Sequence, residues 1–283
     1  MRVAIAANGV IKSFGEKTVL DGIDLTVGKG AIFGLLGPSG AGKTTLIKIL
    51  TGQLPRDGGS VEINGISVDR LTGEDHKKFG IMMDSFGLYD RLNCYDNLKI
   101  FAEIYGVKKE EILRALKKVG LEGAQKTPAA RLSKGMRSRL RLARAFMIDP
   151  DILFLDEPTS GLDPATADEI HKMMLAEKGR GKTIFLTTHT MTEAEKLCGE
   201  LVMLNEGKII ERGSPREICG KYDHRRSLKI HLTAGSELRL AHDERAAETV
   251  AELIKSGRAE TIHTTEPDLE TVFMEITGKE LTV

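Results

Sequence analysis

The sequence predicts an α/β fold whose core is a mainly parallel sheet with helices on both faces. Three stretches carry this expectation: "AIFGLLG" (Ala31–Gly37), "DILFLDEP" (Asp151–Pro158) and "KTIFLTTH" (Lys182–His189). Each is a continuous apolar run without polar alternation, the pattern of a strand buried on both faces. Segments of helical spacing separate such runs, as parallel connections require.

In chain order, Thr18–Val27 and Ser60–Val68 alternate more and predict an antiparallel β subdomain at one edge. "KTTLIKILTG", beginning at Lys43, has helical spacing, and "KKFGIMM" ends in a further strand. From Asp96 to Gly120 apolar residues recur at three and four, which predicts two helices broken near Gly106. After about Gly220 the texture changes. "RSLKIHLT", "SELRLAH" and "AETIHT" predict strands there. Asp243–Gly257 is an amphipathic helix led by acids, and "DLETVFMEITG" is a final helix closed by Gly278. The expected domains are residues 1–220 and a small α+β appendage over 221–283.

A chain of 283 residues can bury a core without disulfides or a structural metal. Lys plus Arg number 41 and Asp plus Glu number 41, so the formal charge is zero. A protein that grips long nucleic acid non-specifically carries a basic excess, and no nucleic-acid partner is expected here. Cys94, Cys198 and Cys219 form no CxxC pair, which fits a reducing cytosol. The N-terminal stretch shows no cleavage-site pattern, and no window reaches the ~18 uninterrupted apolar residues of a membrane span. Any action at a membrane is expected to be that of a peripheral subunit on its cytoplasmic face.

Gly37-Pro38-Ser39-Gly40-Ala41-Gly42-Lys43-Thr44 matches G-x-x-x-x-G-K-[ST] between a predicted strand and a predicted helix, and Thr45 follows it. Glycines let the loop wrap so that successive N–H groups face an anion. The following helix offers its positive end to the same phosphates. Lys43 reaches the outer phosphates and Thr44 offers a hydroxyl to Mg²⁺. The motif marks a P-loop nucleotide-binding protein, but kinases, GTPases and motor ATPases share it.

"ILFLDEPTSGLD" narrows the choice. Asp156 sits at the carboxyl end of a buried strand, where α/β sheets place ligands, and can hold Mg²⁺. Glu157 is positioned to accept a proton from an attacking water. Two acids at a strand end can also be solvated caps; beside a P-loop the catalytic reading is favoured. His189 ends "IFLTTH" and can donate a hydrogen bond to a γ-phosphate.

The stretch "RLSKGMRSRLRLA" (Arg131–Ala143) packs five basic residues into one strip and raises the question of what they bind. "GPSGAGKTT", "LSKGM", "ILFLDEP", "SGLD" and "TTH" resemble, in order and approximate spacing, the motifs of ABC-transporter nucleotide-binding subunits. The resemblance spans roughly Asn8–Ile218. It implies a P-loop NTPase (ABC ATPase) fold with an antiparallel β edge, a helical signature subdomain over about residues 85–148, and ATP and Mg²⁺ as cofactors. It also implies that Ser133 and Gly135 contact the γ-phosphate of ATP held by an opposite subunit, in a homodimer or pair with ATP at the interface. Asp163 of "SGLD" would lie at the dimer seam, and Phe14 of "KSFG" would stack on adenine, without the hydroxyl of the commoner tyrosine. A helix starting at Ser133 agrees, since its N-terminus is an anion site. Met136, Leu140, Ala143 and Met147 then fall on a buried face, and Arg137, Arg141 and Arg144 on another that faces solvent or acids.

The chain departs from the family pattern at Asp84, where glutamine is usual. Aspartate only accepts hydrogen bonds and is one methylene shorter. It is read either as a metal-side ligand of altered reach or as a surface turn. The leading expectation is the ATPase subunit of an exporter with a separate transmembrane permease, its cargo a drug, antibiotic or antimicrobial peptide. The segment after Asp84 would couple it to that permease. The alternative is a soluble ABC ATPase acting on nucleic acid or the ribosome, although such proteins generally carry two cassettes or a long coiled-coil insertion. A P-loop kinase would leave "LSKGM" and "SGLD" without a purpose.

Overall fold

The computed structural model of the protein describes residues 2–83, 87–222, 227–241, 243–265 and 267–278. The N-terminal segment, legible in sequence only as a short apolar run, is a long strand, β1 (Val3–Phe14), and pairs antiparallel with β2 (Lys17–Gly28). After β3 (Ile32–Leu36) and α1 (Lys43–Leu50), β4 (Gly58–Ile63) pairs antiparallel with β1 and then with the short β5 (Ile66–Ser67). The resulting four-stranded sheet, in the order β2-β1-β4-β5, is the expected antiparallel edge. Its apolar positions, among them Val10, Leu20, Leu25 and Val61, join α1 and the core strands in one hydrophobic cluster.

α2 (Gly73–His76) leads into β6 (Phe79–Met82). α3 (Cys94–Tyr105) starts where the Asn93 side chain accepts the Asp96 N–H, and stops at Gly106, whose φ of 68° is left-handed. α4 (Lys109–Lys118) carries Glu110 and Glu111 in its first turn and Lys117 and Lys118 in its last, matching the helix dipole. α5 (Lys134–Phe146) begins at Ser133.

β7 (Ile152–Asp156), α6 (Pro164–Gly179), β8 (Thr183–Thr188), α7 (Met191–Leu197), β9 (Glu200–Asn205) and β10 (Lys208–Gly213) complete the larger unit. The core sheet runs β10-β9-β3-β8-β7-β6, and β9, β3, β8, β7 and β6 pair in parallel. Every residue of β3, β7 and β8 is buried, as their unalternating sequences require. In register, Leu36 lies opposite Thr188 and Asp156 opposite Thr187. The loops after β3, β7 and β8 therefore leave the sheet along one line.

The arginine face of α5 is corrected in one respect. Arg137 is half-buried and pairs with Asp90 at 2.7 Å. Arg144, however, is not in solvent: it is 7% exposed, stands 4.8 Å from the Phe101 ring centroid and donates to the Gly87 carbonyl at 3.2 Å. It sits near the C-terminal end of α5, beneath α3, and burial pushes its pKa down to about 10. Met147 is buried as expected, whereas Met136 is half-buried.

Residue packing divides the chain between Arg212 and Gly213. This falls before the change of texture near Gly220, because α8 (Pro215–Lys221) packs with the last helix, Leu269–Thr277. The second unit contains β11 (Ser227–Leu232), β12 (Glu237–Ala241), α9 (Glu244–Lys255), β13 (Ala259–Thr265) and α10 (Leu269–Thr277). Its antiparallel sheet has the order β12-β11-β13.

Candidate nucleotide site

The loop between β3 and α1 is built around positions where a side chain does not fit. Gly42, which caps α1, has a φ of 112°, and a Cβ there would meet Leu20 Cδ2 at 2.7 Å and the Val19 carbonyl at 2.9 Å. A Cβ on Gly37 would meet the Leu204 carbonyl at 2.3 Å. Glycine is the residue these contacts allow. Ala41 is buried, and its N–H closes the turn on Pro38 O at 3.2 Å.

Lys43 is 6% exposed and its ammonium is held at three points. Nζ donates to the carbonyls of Gly37 at 2.6 Å and Pro38 at 3.2 Å, and pairs with Glu157 Oε1 at 2.9 Å. Thr44 Oγ1 donates to Asp156 Oδ2 at 2.7 Å, and Thr187 Oγ1 to Asp156 Oδ1 at 2.5 Å. His189 Nδ1 lies 2.5 Å from Glu157 Oε2; because an ionised carboxylate only accepts, this nitrogen carries the proton. A cleft of about 330 Å³ is lined by Ser39, Gly40, Gly42, Lys43, Thr44 and Thr45, and by Glu157, Ser160 and His189. Three strand ends thus bring the loop, both acids and the histidine into one space.

Other expected site residues lie elsewhere. Ser133 is exposed and accepts the Met136 N–H at 3.2 Å as the cap of α5. A Cβ on Gly135 would meet Thr166 Cγ2 at 2.6 Å, so the tips of α5 and α6 stand side by side. Asp163 caps α6, accepting from Thr166 N at 3.0 Å and Thr166 Oγ1 at 2.7 Å; these bonds hold its carboxyl below the usual range. Phe14 is 51% exposed, with the Lys12 ammonium 5.4 Å from its ring centroid. None of these four lines the cleft. Asp84 lies outside the described residues. Among the described residues no cluster of three His, Cys, Asp or Glu side chains forms a metal cage. Thr44 and Asp156 offer hard oxygens suited to a cation that takes its remaining ligands from phosphate and water.

The family model described as ABC transporter matches residues 20–160. The fluoroquinolones export ATP-binding protein of Mycobacterium tuberculosis (strain ATCC 25618 / H37Rv) is 38% identical, over 92% of this chain and 88% of that protein. The chain belongs to the ABC transporter family of ATP-binding subunits. Its activity is ATP hydrolysis coupled to transport. The lantibiotic transport ATP-binding protein SrtF of Streptococcus pyogenes is also 38% identical, over 70% of this chain and 86% of that one. Among solved structures, an ATP-binding cassette dimer in a post-hydrolysis state, bound to ADP and Pi, matches with a TM-score of 0.65 and 25% identity. That match covers 74% of this chain and 98% of the other.

Two further contributors to this ABC ATPase cleft lie within quoted motifs, "TTH" and "SGLD", but are not among the expected site residues. Thr187 is wholly buried, and its hydroxyl both donates to Asp156 and accepts the Glu157 N–H at 3.2 Å. Ser160 reaches the cleft from the loop after Glu157. The signals for them are a β-branched hydroxyl near the end of an apolar strand, two positions before His189, and the first residue of "SGLD". A larger cavity, about 590 Å³, lies apart from the phosphate loop, between Phe79–Ile81 and the segment Gly87–Tyr89, with Phe101, Tyr105 and Arg144 on its wall.

Proposed function

We propose that this subunit works as half of a head-to-tail pair, in which two copies enclose two ATP molecules and each reaction centre is completed by the other copy's Ser133 and Gly135. The observation that supports this is a division of labour within one chain. Lys43, Thr44, Glu157 and His189 line the cleft and Asp156 bonds to Thr44 at its edge, while the tips of α5 and α6 do not line it. An anion-binding helix tip with no phosphate of its own chain to meet is what a shared site requires.

In this reading the Gly37–Thr45 loop wraps the phosphates, Lys43 faces the outer ones, and Phe14 stacks on adenine. Glu157 takes the proton of the attacking water; His189 holds Glu157 through Nδ1–H and donates to the γ-phosphate when Nε2 carries a proton as well. Thr44 and Asp156 hold Mg²⁺, which when bound offsets phosphate charge. Asp84 is a further acid on the metal side, and Asp163 shapes the partner's site across the seam. A changed Mg²⁺ dependence of hydrolysis in Asp84→Gln supports that role for Asp84; an unchanged one in both Asp84→Gln and Asp84→Ala removes it.

The pair drives a separate transmembrane permease from the cytoplasmic face of the membrane; among the described residues no helix is long and apolar enough to cross it. The permease docks beside the segment Gly87–Tyr89 and the larger cavity it borders. Export of an antibiotic or antimicrobial peptide fits relatives named for fluoroquinolones and lantibiotics, and cargo selectivity then resides in the membrane subunit. The test is Glu157→Gln. With ATP it elutes as a dimer in size-exclusion chromatography and hydrolyses at least ~100-fold more slowly. A variant that stays monomeric and turns over at the parental rate removes the reading.

A further inference from the structure

We propose that Glu193 is a positioning residue for hydrolysis, setting the placement of Glu157 relative to His189 from behind the cleft. The inference rests on the reading of the site given above. Glu157 opens a short loop, Glu157–Ser160, and has a φ of 50°, in the left-handed region that a non-glycine residue holds only when its surroundings impose it.

That loop is gripped from three sides. The Glu157 N–H donates to the Thr187 carbonyl at 3.1 Å and to its hydroxyl at 3.2 Å. The Pro158 carbonyl accepts Ser138 Oγ of α5 at 2.7 Å. Thr159 Oγ1 donates to Glu193 Oε1 of α7 at 2.6 Å, and the same oxygen lies 2.9 Å from His171 Nε2 of α6. One carboxylate thus joins the loop that presents Glu157, the helix that follows Asp163 and the helix that follows His189. Glu193 stands on the first turn of α7, just beyond His189, so any shift of the loop is transmitted to the histidine through it. Neither Glu193, His171 nor Thr159 lines the cleft.

The arrangement is poorly explained by stability alone. Glu193 is 3% exposed and His171 8%, and neither Glu193 Oε2 nor His171 Nδ1 has a hydrogen-bond partner. Burying a carboxylate with one oxygen unsatisfied is unfavourable, and apolar side chains of the same shape would hold these helices together at least as well. What apolar packing cannot supply is a directional tie to the hydroxyl of Thr159.

The experiment measures steady-state ATP hydrolysis, fluorescent-ATP affinity and melting temperature for Thr159→Val, Thr159→Ser, Glu193→Gln and their Val/Gln double variant, with Glu157→Gln in parallel. Thr159→Val and Glu193→Gln are expected to lose about 10- to 100-fold in kcat with nucleotide affinity within about twofold. Thr159→Ser keeps the parental rate, and the double variant is no slower than the worse single one. Parental kcat in folded Thr159→Val and Glu193→Gln, or losses that multiply in the double variant, overturn the inference. If those variants are normal while Glu157→Gln is inactive, the inference alone falls. If Glu157→Gln is itself active, the reading of the site falls with it.

Discussion

The Thr187 hydroxyl bridges the two acids that end β7: it gives its proton to Asp156 at 2.5 Å and receives the backbone N–H of Glu157 at 3.2 Å. Thr187 belongs to the neighbouring strand, so the spacing of the acids is fixed by strand pairing as well as by the loop.

Replacing Thr187 with valine keeps the branched shape and deletes the bridge. The cost is about 1–3 kcal/mol, since Asp156 loses a buried donor. Urea unfolding should report that loss, and ATP turnover should fall about tenfold or more as the acids lose alignment. Valine with parental turnover would mean the bridge does not set the geometry.

A shared site predicts complementation. Lys43→Ala disables the cleft of its own chain, and Gly135→Asp puts a charge and a Cβ where Thr166 already stands 2.6 Å away. Each variant alone should be inactive. Mixed, they form dimers in which one site carries both defects and the other none, and hydrolysis returns. Persistent inactivity of a mixture shown to exchange subunits would place the signature residues outside catalysis.

Thiol reactivity follows burial. Cys198 is buried, and desolvation pushes its pKa up to about 12; Cys94 is buried and raised for the same reason. At pH 8 both stay protonated and unreactive, since the thiolate is the nucleophile. Cys219 is only half-buried. A maleimide should therefore modify Cys219 first in the native protein, and all three after denaturation. Fast native labelling of Cys198, located by peptide mass mapping, would contradict its placement.

Much of this was legible in the chain itself. The unalternating runs ending at Leu36, Asp156 and Thr188 identify strands buried on both faces, and Gly106 and Gly278 mark helix ends by their left-handed backbone. What escaped has physical causes. β1 mixes apolar and polar residues around irregular pairing with β2, so its alternation is broken. Arg144 shares a helix face with Arg137 and Arg141, and its burial against Phe101 of α3 and the Gly87 carbonyl arises only in three dimensions. Glu193 looks like one more acid on a polar helix turn, because Thr159 and His171 come close to it only in three dimensions.

Thr44 and Asp156 touch at 2.7 Å although 112 positions part them along the chain. No local segment can own such a cleft; it comes into being only once distant strands have found their partners. A half-folded chain has nowhere to seat a triphosphate, so nucleotide draws solely on the native population and shields it from proteolysis and heat. Catalytic competence and completed folding are, in this molecule, reported by the same few ångströms.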